Sequence, residues 1–217
     1  MSKKSSILLE NDVALSAGEK RRAGLLDIAR AVFLEKGFEA ATVNDILAAA
    51  ALSKGGFYHH FKSKDEVLNA LRARYTQWFL ETVERSVAAV PDTALEEKFQ
   101  TWIRAYVEAY FTSHAEHDLV YHSVHASRAN ADRLAVTSSL ERLLQRGVEQ
   151  GVWRLSSPAF TATIIYSAIH GVVDESIADG TGGSERPAEP LAEPLAKPLA
   201  QRLADQLYAS LRLLLQA

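Results

Sequence analysis

Apolar residues recur at three- and four-residue spacing along almost all of this 217-residue chain, and no convincing stretch alternates with the two-residue period of a half-buried strand. That pattern confines the chain to the all-α class, helices packed on helices. Start and stop signals divide it into about nine helices. Ser16-Ala-Gly-Glu19 and Ser63-Lys-Asp-Glu66 read as capping boxes, Thr42 and Ser53 as further N-caps, and Gly37 as a terminator. Two short helices, 42–50 and 53–61, therefore follow a longer first one and precede a long fourth one that Pro91 stops near Val90. Thr93 opens a helix carrying Phe99, Trp102, Ile103, Tyr106 and Tyr110. Segments over 118–128 and 131–150 come next, and Ser157-Pro158 opens a helix to about Ala178. Its apolar residues wrap much of its surface, so it needs partners on more than one side. Prolines 190, 194 and 198 recur every fourth residue, which predicts an extended Gly/Pro-rich linker over 180–198 before a last amphipathic helix over 199–215.

Composition narrows the class further. The chain has no cysteine, which excludes disulfides and thiolate metal sites and fits a cytoplasmic location. No apolar run approaches the roughly 18 residues that span a membrane. Residues 1–15 lack a secretory apolar core and are expected to be a flexible arm. Net charge is −3, but residues 1–72 hold 11 Lys/Arg against 9 Asp/Glu while the rest hold 13 against 18. A nucleic-acid-facing end on a mildly acidic body is compatible with that balance.

The stretch LSKGGFYHHFKSKDEVL, residues 52–68, carries the chemistry. Gly55 and Gly56 lie in the first turn of a short helix, where each costs about 1 kcal/mol relative to alanine. Short helix, tight turn, short helix is the helix-turn-helix pattern, whose second helix enters the major groove of duplex DNA. Bare backbone at that turn lets base edges or phosphates approach closely, and the helix N-terminus favours a phosphate.

TVNDILAAAALSKGGFYHHFKSKDEVL resembles the DNA-binding signature of TetR-type transcriptional regulators, from the threonine-capped second helix to the lysine opening the fourth. Ala51 stands where that family usually has glycine, which predicts a less sharp end to the second helix, and Leu47 replaces a usual small residue. The resemblance implies that Thr42 and Ser53 contact phosphate while capping their helices. It places Lys54, Gly55 and Gly56 against bases or the adjacent backbone. By the same resemblance Tyr58 and His59 would reach phosphate or base edges, with His60 nearby, and Lys64 would grip a phosphate. It divides the chain into a head over 16–62 and a ligand-binding, dimerising body over 63–217. It further implies a homodimer through the helices at 158–178 and 199–215, an inverted-repeat operator in double-stranded DNA, and an unidentified small-molecule effector that releases a repressor.

Two clusters in the body are left open. His114, His117, His122 and His125 fall within twelve residues, so a metal-sensing regulator of the same fold is an alternative. Trp102, Tyr106, Tyr121, His125 and His170 are candidates for lining an effector cavity, since aromatic bodies with polar tips suit one. No nucleophile–base pair, metalloprotease motif or dinucleotide fingerprint occurs, so neither enzymatic activity nor a cofactor is expected.

Overall fold

The computed structural model of the chain describes residues 16–121, 129–180 and 193–216. Among these it forms nine α-helices and no strand: α1 (Ala17–Lys36), α2 (Val43–Ala50), α3 (Lys54–His60), α4 (Lys64–Ala88), α5 (Leu95–Thr112), α6 (His114–Tyr121), α7 (Ala129–Glu149), α8 (Pro158–Gly180) and α9 (Glu193–Leu211). A short 3-10 turn over Arg212–Gln216 closes the described chain. No helix among the described residues is long and apolar enough to cross a membrane.

The helices separate into two compact units. One holds the described residues up to Trp78 together with 118–121, and the other holds Phe79–His117 and the described residues from 129 onward. α4 is one continuous helix that gives residues 64–78 to the first unit and the remainder to the second.

In the first unit the local signals act as the sequence predicts. Ser16 and Glu19 form a reciprocal capping box, as do Thr42 and Asp45, and Gly37 ends α1 at φ 77°. Leu25, Leu26, Ala29, Val32 and Phe33 turn one face of α1 inward, where Ile46, Leu47, Phe57, Phe61, Val67, Leu68 and Leu71 complete the core. The Ser63 box is only half made. Ser63 Oγ accepts the Glu66 N–H at 3.1 Å, but the Glu66 carboxylate accepts from Lys62 N–H at 2.7 Å instead of Ser63. Ala51 corrects the expectation of a blurred end to α2. It takes the left-handed conformation (φ 51°, ψ 40°), and Leu52 N–H closes on Leu47 O at 3.1 Å, so the helix stops cleanly on a non-glycine residue.

In the second unit α5 is the central helix, with α9, α7 and α8 packed on it and α8 also along α7. Ala94, not Thr93, is the N-cap of α5 and supplies no side-chain bond. Glu96 instead ties the elements around it, accepting from Tyr208 OH at 2.7 Å and Trp153 Nε1 at 3.1 Å. The Trp153 ring fills the space beside Gly147, where a Cβ would stand 1.9 Å from Trp153 Cε3. Part of the expected linker is helical. α9 begins at Glu193, six residues before the predicted start, with Pro198 inside it. Pro194 stands in the first turn, where N–H groups have no helical acceptor in any case. Pro198 removes one bond, at about 3 kcal/mol, against the burial of Ala200, Leu203, Ala204, Leu207 and Leu211. Pro190 and the glycines of the expected linker after Gly180 lie outside the described residues. α6 starts at His114 and not at 118, and residues 122–128 of the expected segment are likewise outside them.

Candidate functional site

α3 turns almost all of its side chains outward. Ser53 Oγ accepts the Gly56 N–H at 3.2 Å and so fixes the first turn. Phe57 is fully buried and stands beside the buried Phe61, ring centroids 6.2 Å apart, which holds the helix on the head. Ser53, Lys54, Gly55, Tyr58 and His59 are consequently exposed, with Gly56 and His60 half-buried. The His59 and His60 rings meet edge to face at 5.0 Å. A Cβ on Gly55 would meet nothing nearer than Ser53 Oγ at 3.9 Å, and one on Gly56 nothing nearer than Leu52 Cδ2 at 3.5 Å. Both are ordinary van der Waals distances. The head's own packing therefore requires neither glycine, although each weakens the helix by about 1 kcal/mol.

The flanking caps are built differently. Thr42 is exposed, but its hydroxyl donates to Asp45 Oδ2 at 2.7 Å and its N–H to the same oxygen at 2.8 Å. Lys36 closes on the Asp45 carboxylate at 2.6 Å. The bond from Lys36, then those from the Thr42 hydroxyl and N–H, hold the Asp45 carboxyl well below the usual carboxylate range. Lys64 does not reach out of the head as expected. Its Nζ donates to Phe38 O at 2.6 Å, Ala41 O at 2.9 Å and Glu39 O at 3.3 Å, and lies 4.3 Å over the Phe38 ring. An ammonium has three protons, and all three point at carbonyls. Lys64 thereby staples the α1–α2 connection to the start of α4 and sets the position of α2.

A second polar constellation lies inside the second unit. His170 of α8 stands between two tyrosines, Tyr106 OH at 2.9 Å from Nδ1 and Tyr166 OH at 3.0 Å from Nε2. Which hydroxyl donates to the ring and which accepts from it depends on the tautomer. Tyr110 OH donates to Asp174 one turn further along α8. Trp102 stacks on Tyr106 at 5.1 Å, and its buried Nε1 has no acceptor among the described residues. Burial, ahead of the neighbouring charges, pushes the Tyr166 phenol up to about 12. The structure thus brings together Trp102, Tyr106 and His170 of the expected cavity residues. It adds Tyr110, Tyr166 and Asp174, whose signal was present as facing four-residue ladders, 102–106–110 on α5 and 166–170–174 on α8. Tyr121 belongs to the other unit, where it bonds Thr76, and His125 lies outside the described residues. Among the described residues no three His, Cys, Asp or Glu side chains gather as a metal site, and His122 is outside them as well.

Known proteins match this arrangement. The family model for "Bacterial regulatory proteins, tetR family" matches residues 25–71, which span the second half of α1 through the first turns of α4. The HTH-type transcriptional repressor KstR2 of Mycobacterium tuberculosis is 28% identical over 157 residues, covering 69% of this chain and 76% of its own. The HTH-type transcriptional activator FasR of Mycolicibacterium smegmatis is 33% identical over 100 residues, 46% of this chain and 42% of its own. Among solved structures, the TetR family regulator PfmR from Thermus thermophilus superposes with a TM-score of 0.63 at 25% identity, over 85% of this chain and 97% of that one. With a helix-turn-helix head whose outward helix carries two glycines in its leading turn, and an all-helical body of the same order, the chain is a DNA-binding regulator similar to those of the TetR family.

Proposed function

We propose that the chain is a homodimeric repressor that occupies an inverted-repeat operator through α3 and is released by a small molecule bound in its helical body. The observation that carries the DNA-facing part is the pair of glycines. They weaken α3 where the head has room for a methyl group, so the demand for bare backbone comes from what α3 meets. Lys54, Tyr58 and His59 flank that strip, and Ser53 adds a hydroxyl at the helix N-terminus, where phosphate is favoured. Phosphate contacts give affinity and register, while base discrimination falls to the few side chains at positions 54–60 and to DNA shape. For the dimer, α8 leaves Phe160 66% exposed and Ile164 40% exposed on one side, large apolar groups that a second copy would cover. The Trp102–Tyr106–His170–Tyr166 network supports an effector with both an apolar body and hydrogen-bonding groups. Occupation would shift α4, change the spacing of the paired heads and lower DNA affinity, provided the effector binds the DNA-incompetent state more tightly. Repression is favoured over activation by the longer match to KstR2 than to FasR.

Selection from a random duplex library tests the reading. An inverted repeat should be enriched by the wild type and weakened with Lys54→Ala or Tyr58→Ala. Gly55→Ala and Gly56→Ala should each raise the melting temperature, by the equivalent of about 0.5–1 kcal/mol, while lowering operator affinity tenfold or more. If the alanine variants bind the operator as well as the wild type, the glycines are not at the DNA. Phe160→Glu should yield monomers on sedimentation, and a dimer that survives it removes α8 from the seam.

A further inference from the structure

Arg72 is the one described arginine whose side chain is both almost completely buried, at 3% exposure, and without an ion pair among the described residues. It stands on α4 within the first unit. Its Nε donates to Val120 O of α6 at 2.7 Å, and its buried Nη2 has no partner among the described residues. The Tyr121 ring lies 5.9 Å from the guanidinium carbon, at the edge of useful cation–π range. Thr76, one turn along, donates to Arg72 O at 3.0 Å, so the Tyr121 hydroxyl, 2.6 Å away, is the donor to Thr76. Tyr75 packs its ring against Trp78 at 5.8 Å and Tyr121 at 5.9 Å. A full positive charge is thus held in an aromatic surrounding with the two N–H donors of Nη2 unused and a phenol hydroxyl nearby. Burying a guanidinium without a counter-charge is costly, and proteins normally pair or solvate it.

We infer that Arg72 is the anchor for an organic monocarboxylate, which it would hold by charge-assisted bonds while Tyr121 turns its proton from Thr76 to the ligand and the apolar remainder of the ligand lies against the rings. One guanidinium matches one carboxylate in charge and in the geometry of its fork. A phosphate ester carries nearly twice that charge and needs more cations than the surrounding rings provide. The site goes beyond the proposed function, as a second ligand site that lies in the first unit and not at the Trp102–Tyr106–His170–Tyr166 network, and it rests on that reading only for the regulatory outcome. Arg72 lies eight residues beyond Lys64, about 12 Å along the same helix. An anion pulling on Arg72 would act on the helix whose first residue staples the α1–α2 connection.

The test uses the full chain and defined probes: octanoate and benzoate, the matched octanamide and benzamide, inorganic phosphate and chloride. Thermal stability and calorimetry should give carboxylate binding at least tenfold tighter than the matched amide in wild type, reduced at least tenfold in Arg72→Gln. Without any probe, Arg72→Met should melt at or above wild type, because it removes an uncompensated charge and keeps the volume. Equal binding of acid and amide, unchanged carboxylate binding in Arg72→Gln, or stabilisation by phosphate alone would each overturn the assignment. So would the absence of any carboxylate binding, or an Arg72→Met that melts several degrees lower, which would make the arginine structural. A carboxylate that binds through Arg72 but leaves a selected operator bound would keep the site and sink its regulatory role. Failure of the unliganded wild type to select any operator would indict the proposed function and leave the site standing.

Discussion

α3 and α5 are built on opposite plans. Of the seven residues of α3 only Phe57 is buried, and the helix is held by one cap and one anchor. α5 buries eleven of its eighteen, including Lys98 and the Trp102–Tyr106–Tyr110 ladder, and supplies no side-chain cap of its own. The exposed helix is therefore specified by residues within a turn of each end, and the buried one by what three other helices bring to it. Polar groups follow the same division. On α3 Lys54, Tyr58 and His59 face outward, whereas on α5 Tyr106 and Tyr110 find partners on α8. A regulator needs both, since recognition calls for donors that are free and a scaffold calls for donors that are satisfied.

Changes in each region sharpen this contrast. The largest effect is expected in the buried one. Gly147→Ala places a Cβ inside the Trp153 ring, and displacing that ring also strains the Trp153–Glu96 bond. A loss of about 3 kcal/mol is expected, at the upper end for overpacking. Urea denaturation measures it, and an unchanged midpoint would mean that Trp153 is not seated there. In the head, Lys64→Met should remove about 2 kcal/mol by orphaning carbonyls that a charged donor now satisfies. The same variant separates the staple from a phosphate grip. Loss of a phosphate contact would reduce the salt dependence of DNA binding by about one charge while leaving the fold intact.

A smaller effect, of opposite sign, is expected at the turn between α2 and α3. Ala51 is the one described non-glycine residue with positive φ. Ala51→Gly should stabilise the head by about 1 kcal/mol, read as a rise in denaturation midpoint. A fall would show that the left-handed cap is not strained. The smallest effect depends on pH. Asp45 has its folded carboxyl pKa lowered, so its contribution is complete above the ordinary aspartate value of about 3.9 and is lost as pH falls towards the folded value. The stability gap between wild type and Asp45→Asn, followed by thermal melts from neutral pH downward, should therefore hold steady and then close below about pH 4. A gap that narrows already near pH 6 would contradict the Lys36–Asp45–Thr42 arrangement.

The head was legible because its signals are local. Ser16, Thr42 and Ser53 cap helices through residues three positions on, and Gly37 ends one through its own backbone. The inward turn of Lys64 was not legible for the converse reason. Its partners lie 23 to 26 residues earlier, and nothing in the spacing distinguishes a lysine that reaches out from one that turns in. The proline repeat misled in another way. Propensity argues against helix at Pro198, but the leucines and alanines after it gain enough by packing on α5 to carry the helix back through it.

By itself the sequence determined that this chain is helical, where most of its helices start, and that a helix-turn-helix with a bare leading turn lies near one end. Those features arise from bonds and caps spanning no more than about four residues. Only the tertiary structure decided which polar groups meet: Tyr106 with His170, 64 residues apart, Tyr121 with Thr76, 45 apart, and an arginine buried with no ion pair among the described residues. A short-range pattern cannot encode such pairs, because the free energy that joins them comes from burying whole helix faces together, and the side chains that meet are whichever ones those faces carry inward.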